Sequence, residues 1–268
     1  RDWSSDVCSS DLPTGVVLTI PAAGSESSDG SVITREEENE KKSFCSPLLY
    51  PKFAILNPEL CYTLPKRQIA AGSADILAHV MERYFSPNGN TELSDRLCEA
   101  TMKTIIHNAP LALADPDRYE VWAELMWAGN VAHNGLLGKG REEDWASHNI
   151  EHELSALYDI AHGAGLAIVF PAWMKAVSRR NPARFAQFAE RVFGIEAEDK
   201  REDELAALGI SCLENFFRRL GLFTTLTEAG IDDSQFSRMA GRAVAGGSLG
   251  SMEKLDQTAV MEILELAR

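Results

Sequence analysis

From residue 69 to the C-terminus, apolar residues recur three and four positions apart in one segment after another: 69–84, 93–106, 119–137, 145–158, 162–179, 182–193, 202–220, 232–244 and 256–267. That is the spacing of an amphipathic helix, whose apolar face must be buried against others like it. Gly194, Gly221 and Gly230 stand near the ends of such segments, where glycine readily adopts the left-handed conformation that closes a helix. The run predicts an all-α domain over residues 67–268. The stretch before it reads differently. "GVVLTI" has the look of a buried strand, "GSVIT" and "SFCS" of a hairpin around the charged turn "REEENEKK", and "KFAIL" of a further strand ended by Asn57-Pro58. Residues 13–66 are therefore expected to be a short β-rich piece, with the boundary near residue 66.

The first twelve residues, "RDWSSDVCSSDL", lack an initiating Met, an apolar signal-peptide core and any periodicity. They resemble a translated sequencing adapter. They are read as a non-native scar, Cys8 included, and the chain is expected to be truncated at its N-terminus.

Charge narrows the partners. With 26 Lys and Arg against 40 Asp and Glu, the net charge of −14 argues against nucleic acid and against an anionic membrane, because either needs a basic face. The longest apolar run, "GAGLAIVFPAWM", is broken by Gly and Pro and is shorter than the roughly 18 residues of a membrane span. Cys8, Cys45, Cys61, Cys98 and Cys212 are scattered without paired spacing, which fits a reducing cytoplasm.

The chemistry gathers in two helical segments. In "ADILAHVMERYF", Asp75 and His79 are four apart, one above the other with about 6 Å of helix rise between them. "HNIEHELSALYDIAH" repeats that spacing with His148 and His152, and adds His162. On one straight helix His148 and His162 would stand about 21 Å apart, so a shared ion requires the chain to turn back between Tyr158 and His162. Asp159 is a candidate cap there, and Gly163 and Gly165 would permit close backbone approach. Read alone, "HNIEH" also matches the inverted zinc-peptidase motif, with His148 and His152 as ligands and Glu151 as general base. A third reading leaves these residues structural, in a metal-free helical interaction fragment.

"ADILAHVMERYF", "DWASHNIEHELSALYDIAHGAGLAIVFPAW" and "AILNPELCYTLPKRQ", in that set of spaced motifs, resemble the iron-containing (group III) alcohol dehydrogenases, in the butanol dehydrogenase and aldehyde reductase branch. The resemblance implies a dehydroquinate synthase-like architecture: the α/β remnant of a dinucleotide-binding domain followed by an all-α metal-binding domain. It further implies Asp75, His79, His148 and His162 as ligands to Fe²⁺ or Zn²⁺. His152 would lie beside nicotinamide and substrate as the catalytic histidine, and the cofactor would be NADPH or NADH. The partners implied are a short aldehyde or alcohol and a second copy in a homodimer. "LTIPAAGSESS" resembles the family's nucleotide-gripping loop, making Thr19 and Ser25 cofactor candidates with Lys41 beside them. Where the family commonly has Asp in an "LDP" turn, this chain has Asn57. A Gly-rich phosphate loop is expected in a missing N-terminal part, so the chain alone is expected not to turn over substrate. "GGSLG" at 246–250 follows no strand and reads as a loop.

Overall fold

The computed structural model describes residues 13–38 and 40–268; the stretch 1–12, with Cys8, lies outside the described residues. Strand β1 (Gly15–Leu18) pairs in parallel with β4 (Phe53–Leu56), Val16 beside Ala54. Between them β2 (Gly30–Arg35) and β3 (Glu40–Cys45) form the expected antiparallel hairpin. These small sheets leave Val17, Phe53 and Ile55 exposed. Asn57 Oδ1 accepts from the Glu59 N–H at 3.2 Å and caps the short turn Pro58–Cys61, so Asn performs the local role an Asp would.

Nine helices follow among the described residues: α1 (Lys66–Tyr84), α2 (Glu92–Ala114), α3 (Tyr119–His133), α4 (Ala146–Tyr158), α5 (His162–Val177), α6 (Pro182–Phe193), α7 (Glu202–Arg219), α8 (Phe236–Ala243) and α9 (Gln257–Leu266). The spacing of apolar residues located all nine, and the differences lie at their ends. Helix α2 continues through Pro110 to Ala114 although proline removes a helix hydrogen bond, because Leu111, Ala112 and Leu113 still pack on the core. Helix α3 stops at His133 as the chain turns through Gly135, at φ +80°. The "GGSLG" stretch is a loop, stapled by a bridge between Leu249 and Leu255.

Helix α1 is the axis of the domain. Buried at 15 of its 19 residues, it packs against α2, α3 and α5. It lies tight against α5. A methyl group at Gly163 would overlap the Ala71 carbonyl of α1, and one at Gly165 would overlap the Glu151 side chain of α4, so both glycines serve the close approach anticipated for them. We expect Gly163→Ala to destabilise the fold by about 1–3 kcal/mol, the usual penalty of over-packing, as a lower urea midpoint with an unchanged slope. An unaltered midpoint would show that α1 and α5 separate freely. Among the described residues no helix is long and apolar enough to cross a membrane.

Candidate metal centre

Helix α1 carries Asp75, His79 and Glu82 one above another along its length. Periodicity puts them on one face, and the packing of α4 and α5 decides what that face meets. Asp75 Oδ1 lies 3.1 Å from His79 Nδ1. Helix α4 closes at Asp159, in the left-handed conformation at φ 50°, and α5 starts at His162 with Ala161 before it. Asp159 thus ends the first helix instead of capping the second. The sharp turn brings the His148 and His162 rings to 5.3 Å between centroids. His148 Nε2 comes within 3.4 Å of His79 Nδ1, and His162 Nε2 within 3.8 Å of Asp75 Oδ1. The two segments therefore bring ligand atoms of Asp75, His79 and His148 within 4.8 Å of one another, while His162 groups with Glu151 and His152 and reaches the first set through Asp75.

Two buried carboxylates hold this arrangement. Glu82 accepts from the N–H of Trp145 at 2.7 Å and of His148 at 3.1 Å, and Asp144 Oδ1 from that of Ala146 at 3.0 Å. These are the donors a helix start leaves unpaired. With them satisfied, Trp145 can occupy its left-handed conformation at φ 63° before α4. Glu82 Oε1 also lies 2.7 Å from His148 Nδ1, while Glu151 Oε2 contacts His162 Nδ1.

The donor set suits a divalent cation. Asp75 Oδ1 is buried without a hydrogen-bond partner, an unusual state for a carboxylate oxygen unless a cation completes it. Burial pushes the Asp75 carboxyl up, but His79, His162 and His133 outweigh it and hold the group well below the usual carboxylate range. Burial pushes His148 well below the ordinary imidazole range, with His79 and His162 adding to the effect. Ligation needs that neutral form. His162 behaves oppositely: burial lowers it, yet Glu151 and Asp75 together raise it. One carboxylate and three imidazoles match the preferences of Fe²⁺ and Zn²⁺.

His152 stands alongside. Its ring is 5.3 Å from that of His162, and burial pushes it down to about 3. It faces a cleft of about 440 Å³ between β3, α4 and α8, shared with Lys41, Asn149 and Arg242. Lys41 Nζ donates to Ser155 Oγ of α4 at 2.9 Å. Thr19 and Ser25 are exposed on the loop after β1, which the packing of Gly72 against Pro21 and of Gly24 against His133 anchors to α1 and α3.

Three neighbours escaped the sequence reading. Glu82 carried a signal, its spacing from Asp75 and His79. His133, whose ring lies 4.2 Å from that of His79, and Trp145, 5.0 Å from the His148 ring, carried none, since each reaches the site through tertiary packing. The peptidase arrangement is not formed. His148 sides with Asp75 and His79, His152 sits by His162, and the fully buried Glu151 is tied to His162 instead of facing water.

The C-terminal pattern of the Fe-containing alcohol dehydrogenase family matches residues 69–268. The chain belongs to the iron-containing alcohol dehydrogenase family. A second pattern, for iron-containing alcohol dehydrogenase, matches residues 3–58 and so takes in most of the stretch set aside as a scar. The chain is 43% identical over 254 residues to the probable NADH-dependent butanol dehydrogenase 1 of Bacillus subtilis, covering 95% of this chain and 66% of that protein. It is 38% identical over 259 residues to the NADPH-dependent aldehyde reductase YqhD of Escherichia coli K12, covering 96% and 66%. The crystal structure of an NADH-dependent butanol dehydrogenase A from Thermotoga maritima superposes with a TM-score of 0.90 at 42% identity, covering 96% of this chain and 66% of that one. The chain thus spans just under two thirds of the length of the relatives it matches. Their likeness supports the α/β piece followed by a helical domain, and gives no support to a peptidase or a metal-free interaction fragment.

Proposed function

We propose that this chain is the metal-binding part of an NAD(P)-dependent alcohol dehydrogenase or aldehyde reductase acting on short-chain aldehydes and alcohols. The observation that carries the reading is the approach of Asp75, His79 and His148 within 4.8 Å of one another, with His162 Nε2 3.8 Å from Asp75 Oδ1, an oxygen that is buried without a hydrogen-bond partner. Asp75, His79, His148 and His162 would hold Fe²⁺ or Zn²⁺, which would supply Lewis-acid chemistry at the substrate oxygen, beside an NADPH or NADH that would supply hydride chemistry. The names of the relatives, butanol dehydrogenase and aldehyde reductase, point to the same substrates.

The chain's own residues have distinct tasks under this reading. His152, neutral and facing the cleft, moves a proton between the alcohol oxygen and solvent. Lys41 turns its ammonium to a cofactor phosphate, and Thr19 and Ser25 offer hydroxyls from the loop after β1. The enzyme works in the cytoplasm, in keeping with free thiols at Cys45, Cys61, Cys98 and Cys212, and as a homodimer. Light scattering checks the last point; a monomer across micromolar concentrations refutes it.

The test is to load the enzyme carrying this chain with Fe²⁺ or Zn²⁺, count bound metal, and follow NAD(P)H consumption with butyraldehyde. One ion per chain and turnover are expected. No ion bound, or no turnover with any short aldehyde when loaded, overturns the proposal. Within the same assay His152→Ala should keep its metal while its rate falls by about 10²–10⁴, the range for a lost general acid–base group. Loss of the ion in that variant would return the "HNIEH" motif to consideration as a chelate.

A further inference from the structure

Two of the clustered histidines share a feature that the other two members of the proposed ligand set lack. Each has its Nδ1 against a carboxylate that is 0% exposed: His148 against Glu82, at 2.7 Å, and His162 against Glu151. Each turns its other nitrogen toward α1, His148 Nε2 to His79 and His162 Nε2 to Asp75. A neutral imidazole has one N–H and one lone pair, and the partner of the first decides where the second points. We propose that Glu82 and Glu151 are positioning residues that accept the Nδ1–H of His148 and His162, and so fix both rings with the Nε2 lone pair aimed at the metal. The proposal rests on the reading of Asp75, His79, His148 and His162 as a metal site.

The two carboxylates differ in how they are held, and the difference separates positioning from plain structure. Glu82 also receives the N–H groups of Trp145 and His148 at the start of α4, so its loss harms the helix as well as the ring. Glu151 has no such second duty. Its Oε2 meets His162, while its Oε1 is buried without a hydrogen-bond partner beneath Gly165. A carboxylate left half-satisfied inside a protein is unfavourable for the fold by itself. Orientation of His162 accounts for its presence: a carboxylate behind a ligating imidazole fixes the ring and raises its basicity, and removal of such partners typically weakens metal affinity by about 10–100-fold.

The test compares the full chain with its Glu151→Ala, Glu151→Gln and Glu82→Gln variants. Zn²⁺ affinity is measured by competition with a chromophoric chelator, metal-free stability by urea, and the ring protonation of the Zn²⁺-loaded chain by ¹⁵N-edited NMR. Glu151→Ala should weaken Zn²⁺ binding by about 10–100-fold, more than any fall in the urea midpoint of the metal-free chain accounts for. Glu151→Gln, which still offers an oxygen to Nδ1–H, should recover most of that affinity. Glu82→Gln should lower affinity and midpoint together. In the unaltered chain the two rings should show protonated Nδ1 and unprotonated Nε2. Wild-type affinity in both Glu151→Ala and Glu82→Gln, or protonated Nε2 on these rings, overturns the positioning role while leaving the metal site standing. An unaltered chain that binds no Zn²⁺ overturns both.

Discussion

Asp75→Asn should reduce metal affinity by more than about 100-fold, beyond the range that follows from losing a residue behind a ligand, while leaving the fold intact. Asn has nearly the same volume, so α1 keeps its packing against α2, α3 and α5. What disappears is the anion at the point toward which His79 and His162 converge. The amide also presents hydrogens that compete with a cation for the same space. The effect is visible as stability. A ligand at 1,000 times its Kd stabilises by about 4 kcal/mol, and a Kd raised 100-fold leaves about 1.4 kcal/mol at the same concentration. Urea unfolding with and without Zn²⁺ therefore distinguishes the variant sharply, although the metal-free midpoints should agree closely. Stoichiometric, undiminished Zn²⁺ binding by Asp75→Asn would remove Asp75 from the ligand set.

The same residues show how far sequence carries. Helical spacing places Asp75, His79 and Glu82 on one face of α1, and the glycines after His162 mark a close crossing; both are local properties that any fold would preserve. The turn between Tyr158 and His162 was deducible because a straight helix could not serve one ion. Its execution was not, since Asp159 ends α4 in a left-handed conformation that depends on how α5 docks. Pairing of carboxylate with imidazole was equally hidden. Glu82 and His148 are 66 residues apart, and "HNIEH" presents Glu151 as the natural companion of His148 and His152, when the turn has in fact delivered His162 to it. The strands were legible as strands. That β1 would pair with β4 across an intervening hairpin was not, because the partners are set by packing instead of by alternation.

Asp95→Ala should destabilise the fold by about 3–5 kcal/mol, the range for leaving a buried partner charge uncompensated. Asp95 sits in the first turn of α2 and receives Arg184 through both oxygens, at 2.6 Å each, together with Arg141 at 2.6 Å and Gln187 at 3.2 Å. The Arg141 side chain is 0% exposed, so water cannot replace the lost anion. Burial pushes the Asp95 carboxyl up, but Arg184, Arg141 and Gln187 outweigh it and hold the group at about 2. A folded pKa below the ordinary value of about 3.9 means that this contribution is complete above that ordinary value and is lost as pH falls toward the folded one. The unaltered chain should therefore lose stability between about pH 4 and pH 2 by a step that Asp95→Ala lacks. Arg141 also donates to the carbonyls of Arg83 and Thr91, and Arg83 in turn donates to the His79 carbonyl and lies over the Trp145 ring. The cluster thus steadies the segment that leads into α4 and His148. Removing Asp95 should weaken Zn²⁺ binding as well as the fold, although Asp95 is no ligand. Stability falling while Zn²⁺ affinity stays at its wild-type value would confine the cluster to α2 and α6; an unchanged urea midpoint would show that the two arginines find other partners.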